Sequence, residues 1–284
     1  MDRVGVVGCG LMGSGIAEIA ARAGADVVVI ERDRDAVAAG QARVERSLSR
    51  AVAAGKVPEE EAAQAHANLS YSTDFTRLTD RQIVIEAVAE EESLKTEVFT
   101  TLDQVVHDPG AILATNTSSI PIIKLAMATS RPEQVIGMHF FNPVPVLKLV
   151  EVISSLLTSP ETTARVHDYA GVALKKKVIT SPDRAGFVVN ALLIPYLLSA
   201  IRMLESGFAS AEDIDTGMVV GCAHPLGPLA LTDLIGLDTT LAVAESLYEE
   251  FKEPHFAPPP LLSRMTQAGL HGRKSGQGFY SYKS

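Results

Sequence analysis

Short β-branched runs alternate with helical stretches along the first half of the chain. Six of these runs are predicted to be strands, at 3–8, 25–31, 82–88, 111–117, 134–141 and 147–153, and 178–180 is a candidate for one more. The runs are almost continuously apolar, which is typical of parallel strands covered by helices on both faces. The pattern therefore predicts an α/β domain built on a mostly parallel, doubly wound sheet.

A long helical region, residues 33–69, separates the second of these strands from the third. Its central part, ARVERSLSRAVAAGKV, spaces apolar residues in a heptad-like way with charges between them. This pattern predicts a helical hairpin that protrudes from the sheet. A crossover between parallel strands needs only about a dozen residues, so the hairpin is expected to have a function of its own.

The alternation stops at 180–186, and the rest of the chain is predicted to be helical. The predicted helices span 187–207, 210–222, 227–251 and 258–269. The sequence thus predicts two domains, 1–181 with the sheet and its arm at about 33–69, and 185–284 with helices alone.

Local signals mark several of these helix boundaries. Ser210 and Asp213 match a capping box, and Gly207 matches a helix C-cap. The helix at 187–207 is apolar nearly all round, which is typical of a helix at the centre of a domain or in a dimer interface. Pro195 is predicted to kink or break it.

Composition excludes several classes of protein. Of 284 residues, 46% are hydrophobic, enough for a large core, and the net charge of -9 argues against a nucleic-acid-binding surface. No apolar run is long enough to predict a membrane span, and the N-terminal residues do not resemble a secretory signal. Cys9 and Cys222 are too few and too far apart for a disulfide framework or a zinc site. We therefore expect a cytoplasmic protein without a bound metal.

A glycine loop, GCGLMG at 8–13, joins the first predicted strand to a helix rich in small residues. Glycines at this spacing allow a tight turn, the close approach of a pyrophosphate and close helix–strand packing, while the helix N-terminus offers amides to the phosphates. An acid, Glu31, follows at the end of the second strand, near the spacing of an acid that binds the adenosine ribose. We predict a Rossmann-type dinucleotide site formed by these residues: Gly8, Gly10, Leu11, Met12, Gly13 and Glu31.

The dinucleotide prediction leaves two alternatives open. Such a loop also occurs as an ordinary tight turn in α/β domains. Glu31 favours NAD, but Arg32 and Arg34 follow it, and an arginine here accommodates the 2′-phosphate of NADP in other proteins. We expect NAD to be preferred.

Two ionisable residues, His139 in HFFNPVP and Glu151 in KLVEVI, interrupt predicted strands. Burial of such groups is costly unless they have partners, so either the backbone satisfies each of them separately or they bind each other. In a pair, the carboxylate would fix the imidazole tautomer and leave the second ring nitrogen free to exchange a proton. Oxidation of an alcohol by a nicotinamide requires a base of this kind.

Seven motifs distributed in order along the chain resemble the 3-hydroxyacyl-CoA dehydrogenase family, particularly its short bacterial 3-hydroxybutyryl-CoA dehydrogenases. They are GCGLMGSGIA, EAVAEEESLK, TNTSSI, GMHFFNPVPVLKLVEVI, GFVVN, HPLGPLALTDLIGLD and GRKSGQGFY. The resemblance implies reversible oxidation of an (S)-3-hydroxyacyl-CoA, such as 3-hydroxybutanoyl-CoA, to the 3-ketoacyl-CoA with NAD as acceptor. It also implies a homodimer.

The resemblance assigns roles to matching residues. It implies that His139 is the catalytic base, that Glu151 orients it, and that Ser118 and Asn190 contact the substrate near its reacting carbon. Further contacts on the cofactor side are implied for Glu90, Lys95, Asn116, Asn142 and Lys274. Without the family, the run of acids at 90–92 predicts a solvated helix start, Asn190 a locally satisfied helix residue, and Lys274 a surface charge.

The hairpin matches the arm that binds CoA in this family. Ser47 matches a CoA-binding serine, but Ala54 replaces the expected lysine, for which Arg50 or Lys56 would substitute. Two other functions stay open: a dehydrogenase of a free hydroxy or sugar acid, such as L-gulonate 3-dehydrogenase, and a non-catalytic nucleotide-binding protein.

Overall fold

The computed structural model describes residues 1–282. The chain divides into two compact units, Met1–Arg184 and Ala185–Ser284. The division therefore falls between Arg184 and Ala185, whereas the sequence analysis ended the first domain at 181.

The first unit is built on an eight-stranded sheet in the order β3-β2-β1-β4-β5-β6-β7-β8. The strands are β1 (Arg3–Val7), β2 (Asp26–Ile30), β3 (Leu69–Ser72), β4 (Ile83–Glu86), β5 (Ile112–Thr115), β6 (Val135–Phe140), β7 (Leu149–Ser154) and β8 (Lys177–Pro182). Neighbouring strands are parallel apart from the antiparallel pair β6 and β7. The strand order reverses between β1 and β4, and ligands of such sheets bind at the carboxyl ends of the strands beside this point.

Helices flank this sheet: α1 (Leu11–Arg22), α2 (Arg34–Ala53), α3 (Glu59–Ala67), α4 (Glu92–Val105), α5 (Ile122–Ala126) and α6 (Pro160–Asp168). Every residue of β4, β5 and β6 is buried. Side chains of a strand alternate between its two faces, so complete burial means that both faces are covered. The apolar runs in the sequence are explained by this double covering.

The predicted hairpin forms as α2 and α3, and its inner face packs on the first unit's core. Val44, Leu48 and Ala65 are buried in the same hydrophobic cluster as residues of α1. The sequence analysis missed β3, which follows the hairpin directly and pairs with β2. Its four residues, Leu-Ser-Tyr-Ser, are too short and too polar to resemble the apolar runs of the central strands.

The second unit is helical, as predicted. Its α-helices are α7 (Val189–Glu205), α8 (Ala211–Thr216), α9 (Pro228–Ile235), α10 (Leu237–Phe251) and α11 (Pro260–Gln267). The capping box is confirmed, because the Ser210 hydroxyl accepts a hydrogen bond from the Asp213 amide at 3.1 Å. Of the predicted kink or break at Pro195, the break does not occur, since α7 continues through this residue.

Two of the predicted helix spans in this unit differ from the structure. The predicted helix 227–251 is two helices that meet at Gly236, whose φ of 106° is not helical. The predicted helix 210–222 is an α-helix to Thr216 followed by a π-helical turn over Gly217–Gly221.

Buried acids of the second unit hold the C-terminal GFY motif. Asp233 accepts hydrogen bonds from the Phe279 and Tyr280 amides, each at 2.9 Å, and from the Tyr282 hydroxyl at 3.0 Å. Asp215 accepts a further hydrogen bond from the Tyr280 hydroxyl at 3.0 Å. The motif therefore fastens the end of the chain to the helices of its own unit. Across residues 1–282, no helix combines the length and the apolar character that a membrane crossing requires.

Candidate active site

The three glycines of the loop after β1 meet three different steric demands. Gly8 has a φ of +89°, a conformation that side chains disfavour, and a Cβ there would lie 2.7 Å from the Ala87 carbonyl oxygen. A Cβ on Gly13 would collide with the Gly8 carbonyl oxygen, so α1 can pack this closely only with glycine. A Cβ on Gly10 would meet nothing within 4 Å, which leaves open space at the N-terminus of α1. The loop thus fits a phosphate-bearing ligand that approaches the backbone.

A cavity of about 760 Å³ opens beside this loop. Of the predicted dinucleotide residues, Gly8, Gly10 and Glu31 line it. Arg43 on α2 also lines it, and the sequence analysis did not single this residue out. The volume lies within the range of about 300–1,000 Å³ that is usual for cofactor sites. The cavity and the glycine loop together fit the adenosine half of NAD.

Glu31 binds the glycine loop directly. One carboxylate oxygen accepts a hydrogen bond from the Cys9 amide at 2.6 Å, and the other accepts one from the Arg32 amide at 3.1 Å. Burial, reinforced by the negative charge of Glu31, raises the pKa of the Cys9 thiol to about 12. Cys9 is therefore a neutral packing residue at neutral pH, and its thiol has little nucleophilic character.

The predicted pair of His139 and Glu151 is present in the structure. The two residues lie directly opposite each other in the antiparallel ladder of β6 and β7. Opposite residues of such a ladder project to the same face of the sheet, and the His139 Nδ1 lies 2.6 Å from the Glu151 Oε2. Glu151 is fully buried and His139 is nearly so. The Phe141 ring lies 4.6 Å from the imidazole, centroid to centroid, and covers one side of it.

Lys176 holds the connection between β6 and β7. Its ammonium donates hydrogen bonds to the carbonyl oxygens of Val144 and Leu147, at 2.5 and 2.6 Å. Partial burial, together with the charge of Arg22, lowers the pKa of Lys176. The Val144 side chain packs against Gly15 of α1. The FFNPVP segment is thus held at several points between the two strands.

Glu90 accepts hydrogen bonds from the hydroxyl-rich segment after β5. Its Oε1 accepts hydrogen bonds from the Thr117 hydroxyl at 2.5 Å and from the amides of Ser118 and Ser119 at 2.8 and 3.1 Å. Burial favours the neutral acid, but the nearby Lys95 ammonium and these hydrogen bonds hold the pKa of Glu90 below its usual value. Glu90 is therefore more than a solvated residue at a helix start, because its side chain, although 35% exposed, binds the segment after β5. The Ser118 hydroxyl lies 3.3 Å from the same oxygen.

Lys95 forms a buried ion pair beneath this segment. Its ammonium lies 2.6 Å from the Glu86 carboxylate and 3.3 Å from Glu90, and its side chain is 1% exposed. Glu86 also accepts hydrogen bonds from the Thr115 hydroxyl and the Val88 amide, both at 2.7 Å. The structure thus places Lys95 beneath the site, and the sequence analysis overlooked Glu86. An acid that interrupts the apolar run QIVIEAV was the available signal.

Asn116 links the ends of three neighbouring strands. Its amide donates to the Glu86 carbonyl oxygen at 2.8 Å, and its side-chain oxygen accepts a hydrogen bond from the Phe140 amide at 3.0 Å. Phe140 follows His139 directly, so the carboxyl ends of β4, β5 and β6 are joined at one edge of the sheet. Ser118, His139 and the glycine loop all lie at this carboxyl edge.

The other predicted site residues are more dispersed. Asn142 is exposed on the connection after β6, and Asn190 is partly buried in the first turn of α7 in the second unit. Lys274, also in the second unit, donates to Asp238 at 2.6 Å. On the hairpin, Ser47 is partly buried, whereas Arg50 and Lys56 are exposed. Leu11 is exposed in the first turn of α1, followed by Met12, and neither is among the residues that line the cavity.

Known proteins resemble this chain over both of its units. Residues 3–184 match the family model of the 3-hydroxyacyl-CoA dehydrogenase NAD binding domain, and residues 186–282 match that of the C-terminal domain. The 3-hydroxybutyryl-CoA dehydrogenase of Mycobacterium tuberculosis is 57% identical over 282 residues, covering 99% of each chain. The human mitochondrial hydroxyacyl-coenzyme A dehydrogenase is 41% identical, covering 100% of this chain and 92% of that protein.

A solved structure from the same class of enzyme has a closely similar fold. The crystal structure of (S)-3-hydroxybutyryl-CoA dehydrogenase PaaH1 from Ralstonia eutropha has a TM-score of 0.95 and 46% identity, with 100% of both chains covered. Sequence matches over both units and the near-complete structural overlap lead to one conclusion. The chain belongs to the 3-hydroxyacyl-CoA dehydrogenase family.

Proposed function

We propose that the chain catalyses the reversible NAD-dependent oxidation of an (S)-3-hydroxyacyl-CoA to the 3-ketoacyl-CoA, with 3-hydroxybutanoyl-CoA and acetoacetyl-CoA as the short-chain pair. The observation that carries this function is the contact of 2.6 Å between His139 and Glu151, at the carboxyl edge of a sheet that also carries a dinucleotide loop. The relatives named above act on substrates of this class.

His139 is the acid–base group of the reaction. In the tautomer that donates from Nδ1 to Glu151, Nε2 is unprotonated and accepts the proton of the substrate's 3-hydroxyl. A nicotinamide held beside the glycine loop would supply the acceptor for the hydride of carbon 3. In the reverse direction the imidazolium returns its proton from Nε2 to the 3-oxygen. Glu151 stabilises the imidazolium because its carboxylate is buried against the ring.

Ser118 and Asn190 orient the substrate oxygen in this proposal. The Ser118 amide and hydroxyl are both within hydrogen-bond distance of Glu90, so the position of the serine is set before substrate arrives. Ser47, Arg50 and Lys56 of the hairpin are proposed to contact the CoA moiety, which carries phosphates that basic side chains bind.

A homodimer is also part of the proposal. The second unit exposes large apolar side chains: Leu192 is 74% exposed, Phe208 80% and Val220 78%. Apolar surface of this kind is typical of a face that another subunit covers. Light scattering during size-exclusion chromatography measures the assembly, and a monomeric mass would contradict the dimer.

A cytoplasmic location is proposed as well. Both cysteines are free, which is consistent with a reducing compartment.

Acetoacetyl-CoA is expected to be reduced with NADH far more efficiently than free acetoacetate, because only the thioester carries the CoA group that the hairpin binds. The test is kcat/KM for acyl-CoA thioesters from C4 to C16 and for free hydroxy and sugar acids, followed at the absorbance of reduced nicotinamide. Equal or higher efficiency with a free acid would favour the sugar-acid alternative. A lack of turnover with every thioester would refute the proposed function.

NADH is expected to exceed NADPH in kcat/KM by at least about tenfold, because the Glu31 carboxylate would repel a 2′-phosphate. Glu31→Ser should narrow this preference, and it should also lower the efficiency with NADH because the Cys9 amide loses its acceptor. Glu45→Ser, on an exposed face of α2, is the matched control. Equal efficiency with NADPH in the unmodified protein would contradict the assigned role of Glu31.

A further inference from the structure

The backbone of Cys9, in the middle of the Gly8–Gly10 turn, is held through both its N–H and its carbonyl group. Its amide donates to Glu31 at 2.6 Å, and its carbonyl oxygen accepts a hydrogen bond from the Arg43 guanidinium at 3.1 Å. Glu31 lies at the end of β2, whereas Arg43 lies on α2. Side chains from two different elements therefore hold the two consecutive peptide groups on either side of the Cys9 Cα.

Gly40 brings α2 close enough for this contact. A Cβ on Gly40 would lie 2.6 Å from the Cβ and 2.7 Å from the Sγ of Cys9, so any other residue would push the helix away. Residues three apart on a helix share a face, which places Arg43 next to Gly40 above the loop. The glycine at position 40 thus brings α2 close to Cys9, and this approach lets Arg43 reach the Cys9 carbonyl oxygen.

The cavity is lined by more acidic than basic residues, so the positive charge of Arg43 matters in addition to its hydrogen bond. Four acidic residues line the cavity, namely Glu31, Asp33, Asp35 and Glu97, against the two arginines Arg32 and Arg43. Arg32 is 85% exposed and pairs with Asp33 at 3.0 Å, so most of its charge is directed to that carboxylate and to solvent. A dinucleotide carries an anionic pyrophosphate, which a net acidic lining repels. Arg43 places a positive charge at the glycine loop, where a pyrophosphate would bind.

We propose that Arg43 is a positioning residue for the cofactor. It holds the Cys9 carbonyl group from the α2 side, so that the loop amides keep the orientation that binds the pyrophosphate. Its positive charge also offsets the acidic lining of the cavity. This inference rests on the proposed function, because it requires that the cavity binds NAD. It also gives Glu31 two roles, one toward the ribose and one toward the loop.

Arg43→Ala is expected to raise the Kd for NADH by about tenfold or more, because it removes a charge-assisted hydrogen bond and a cation. The Kd is measured by fluorescence titration of the protein with NADH in the absence of acyl-CoA. The KM for acetoacetyl-CoA at saturating NADH should change less than twofold. Arg43→Lys should recover part of the loss, because it keeps the charge without the planar donor. Arg46→Ala, also an exposed arginine of α2 but outside the cavity lining, should bind NADH within twofold of the unmodified protein.

A second measurement uses the ligand-free protein. Amide hydrogen exchange over residues 8–13 should be faster in Arg43→Ala than in Arg46→Ala, because the Cys9 carbonyl has lost its donor. An unmodified protein that does not bind NADH would refute the proposed function. If the unmodified protein binds NADH, a Kd for Arg43→Ala within twofold of it overturns the inference about Arg43 alone, and unchanged exchange over 8–13 overturns the loop-holding role.

Discussion

Replacement of His139 by glutamine is expected to lower kcat for acetoacetyl-CoA reduction by about 100- to 10,000-fold, the usual contribution of a positioned acid–base group. Glutamine is polar and of similar size, but its amide cannot take a proton from the substrate oxygen and return it, as the imidazole Nε2 of His139 does. NADH binding should change little, because His139 is assigned to the substrate oxygen and is not among the residues that line the cavity assigned to the adenosine half of NAD. Steady-state kinetics, with thermal unfolding as a check on the fold, measures the effect.

Glu151→Gln tests the second member of the pair. The amide can still bind the imidazole but cannot stabilise its charge, so kcat should fall by at least about tenfold. His167→Gln, at an exposed position on α6, is the control and should retain full activity. A decrease of less than tenfold in either dyad variant, with the fold intact, would refute the assigned role of that residue.

Lys95→Met is expected to lower the free energy of unfolding by about 3–5 kcal/mol, because it leaves a fully buried carboxylate without its cation. Glu86 is 0% exposed, so solvent cannot replace the lost ammonium. Denaturant titration of the purified protein at constant pH measures the change. Glu86→Gln introduced into the Lys95→Met protein should restore part of the stability, since the remaining group is neutral. Its amide oxygen can still accept from the Val88 amide, and its amide nitrogen can donate to the Thr115 hydroxyl oxygen, which reverses the direction of that hydrogen bond.

The control for this measurement is a pair of the same chemistry at the surface. Lys124 and Glu92 lie 2.7 Å apart, with their side chains 53% and 52% exposed. Lys124→Met should change the free energy of unfolding by at most about 1 kcal/mol, because exposed ion pairs contribute little. Equal effects of the two methionine substitutions would show that burial does not set the strength of the Lys95 pair.

The apolar pattern predicted most of the sheet because its central strands are covered on both faces. In β4, β5 and β6, burial on both faces leaves no polar alternation, and short apolar runs remain as a clear signal. β3 gives no such signal, since its residues are only partly buried at the edge of the sheet. Its position depends on pairing with β2, which is a property of the assembled sheet.

The helix boundaries in the second unit show a different limit. Around Gly236 the apolar pattern continues from one helix into the next, and an isolated glycine within such a pattern is also tolerated inside helices. Only the backbone conformation, with a φ of 106°, shows that α9 ends and α10 begins there. The sequence therefore predicted the helical content of 227–251 and missed its division.

Within the site, the sequence identified the residues more readily than their contacts. His139 and Glu151 stood out because each interrupts an apolar run, yet a separation of eleven intervening residues does not determine whether two strands pair. The family resemblance supplied the pairing, and the ladder of β6 and β7 now provides its geometry. Glu90 was hidden among three consecutive acids, and the partners of its carboxylate lie in the hydroxyl-rich segment after β5, which is distant in sequence.

The antiparallel pairing of β6 with β7 has a consequence for insertions and deletions. Because His139 and Glu151 are opposite residues of one ladder, their contact depends on the residue count within each strand. Removal of one residue inside either strand would turn one of the two side chains to the opposite face of the sheet and separate the pair. The eight-residue connection at 141–148 lies outside the ladder, so a change in its length would not by itself shift the register that places His139 opposite Glu151.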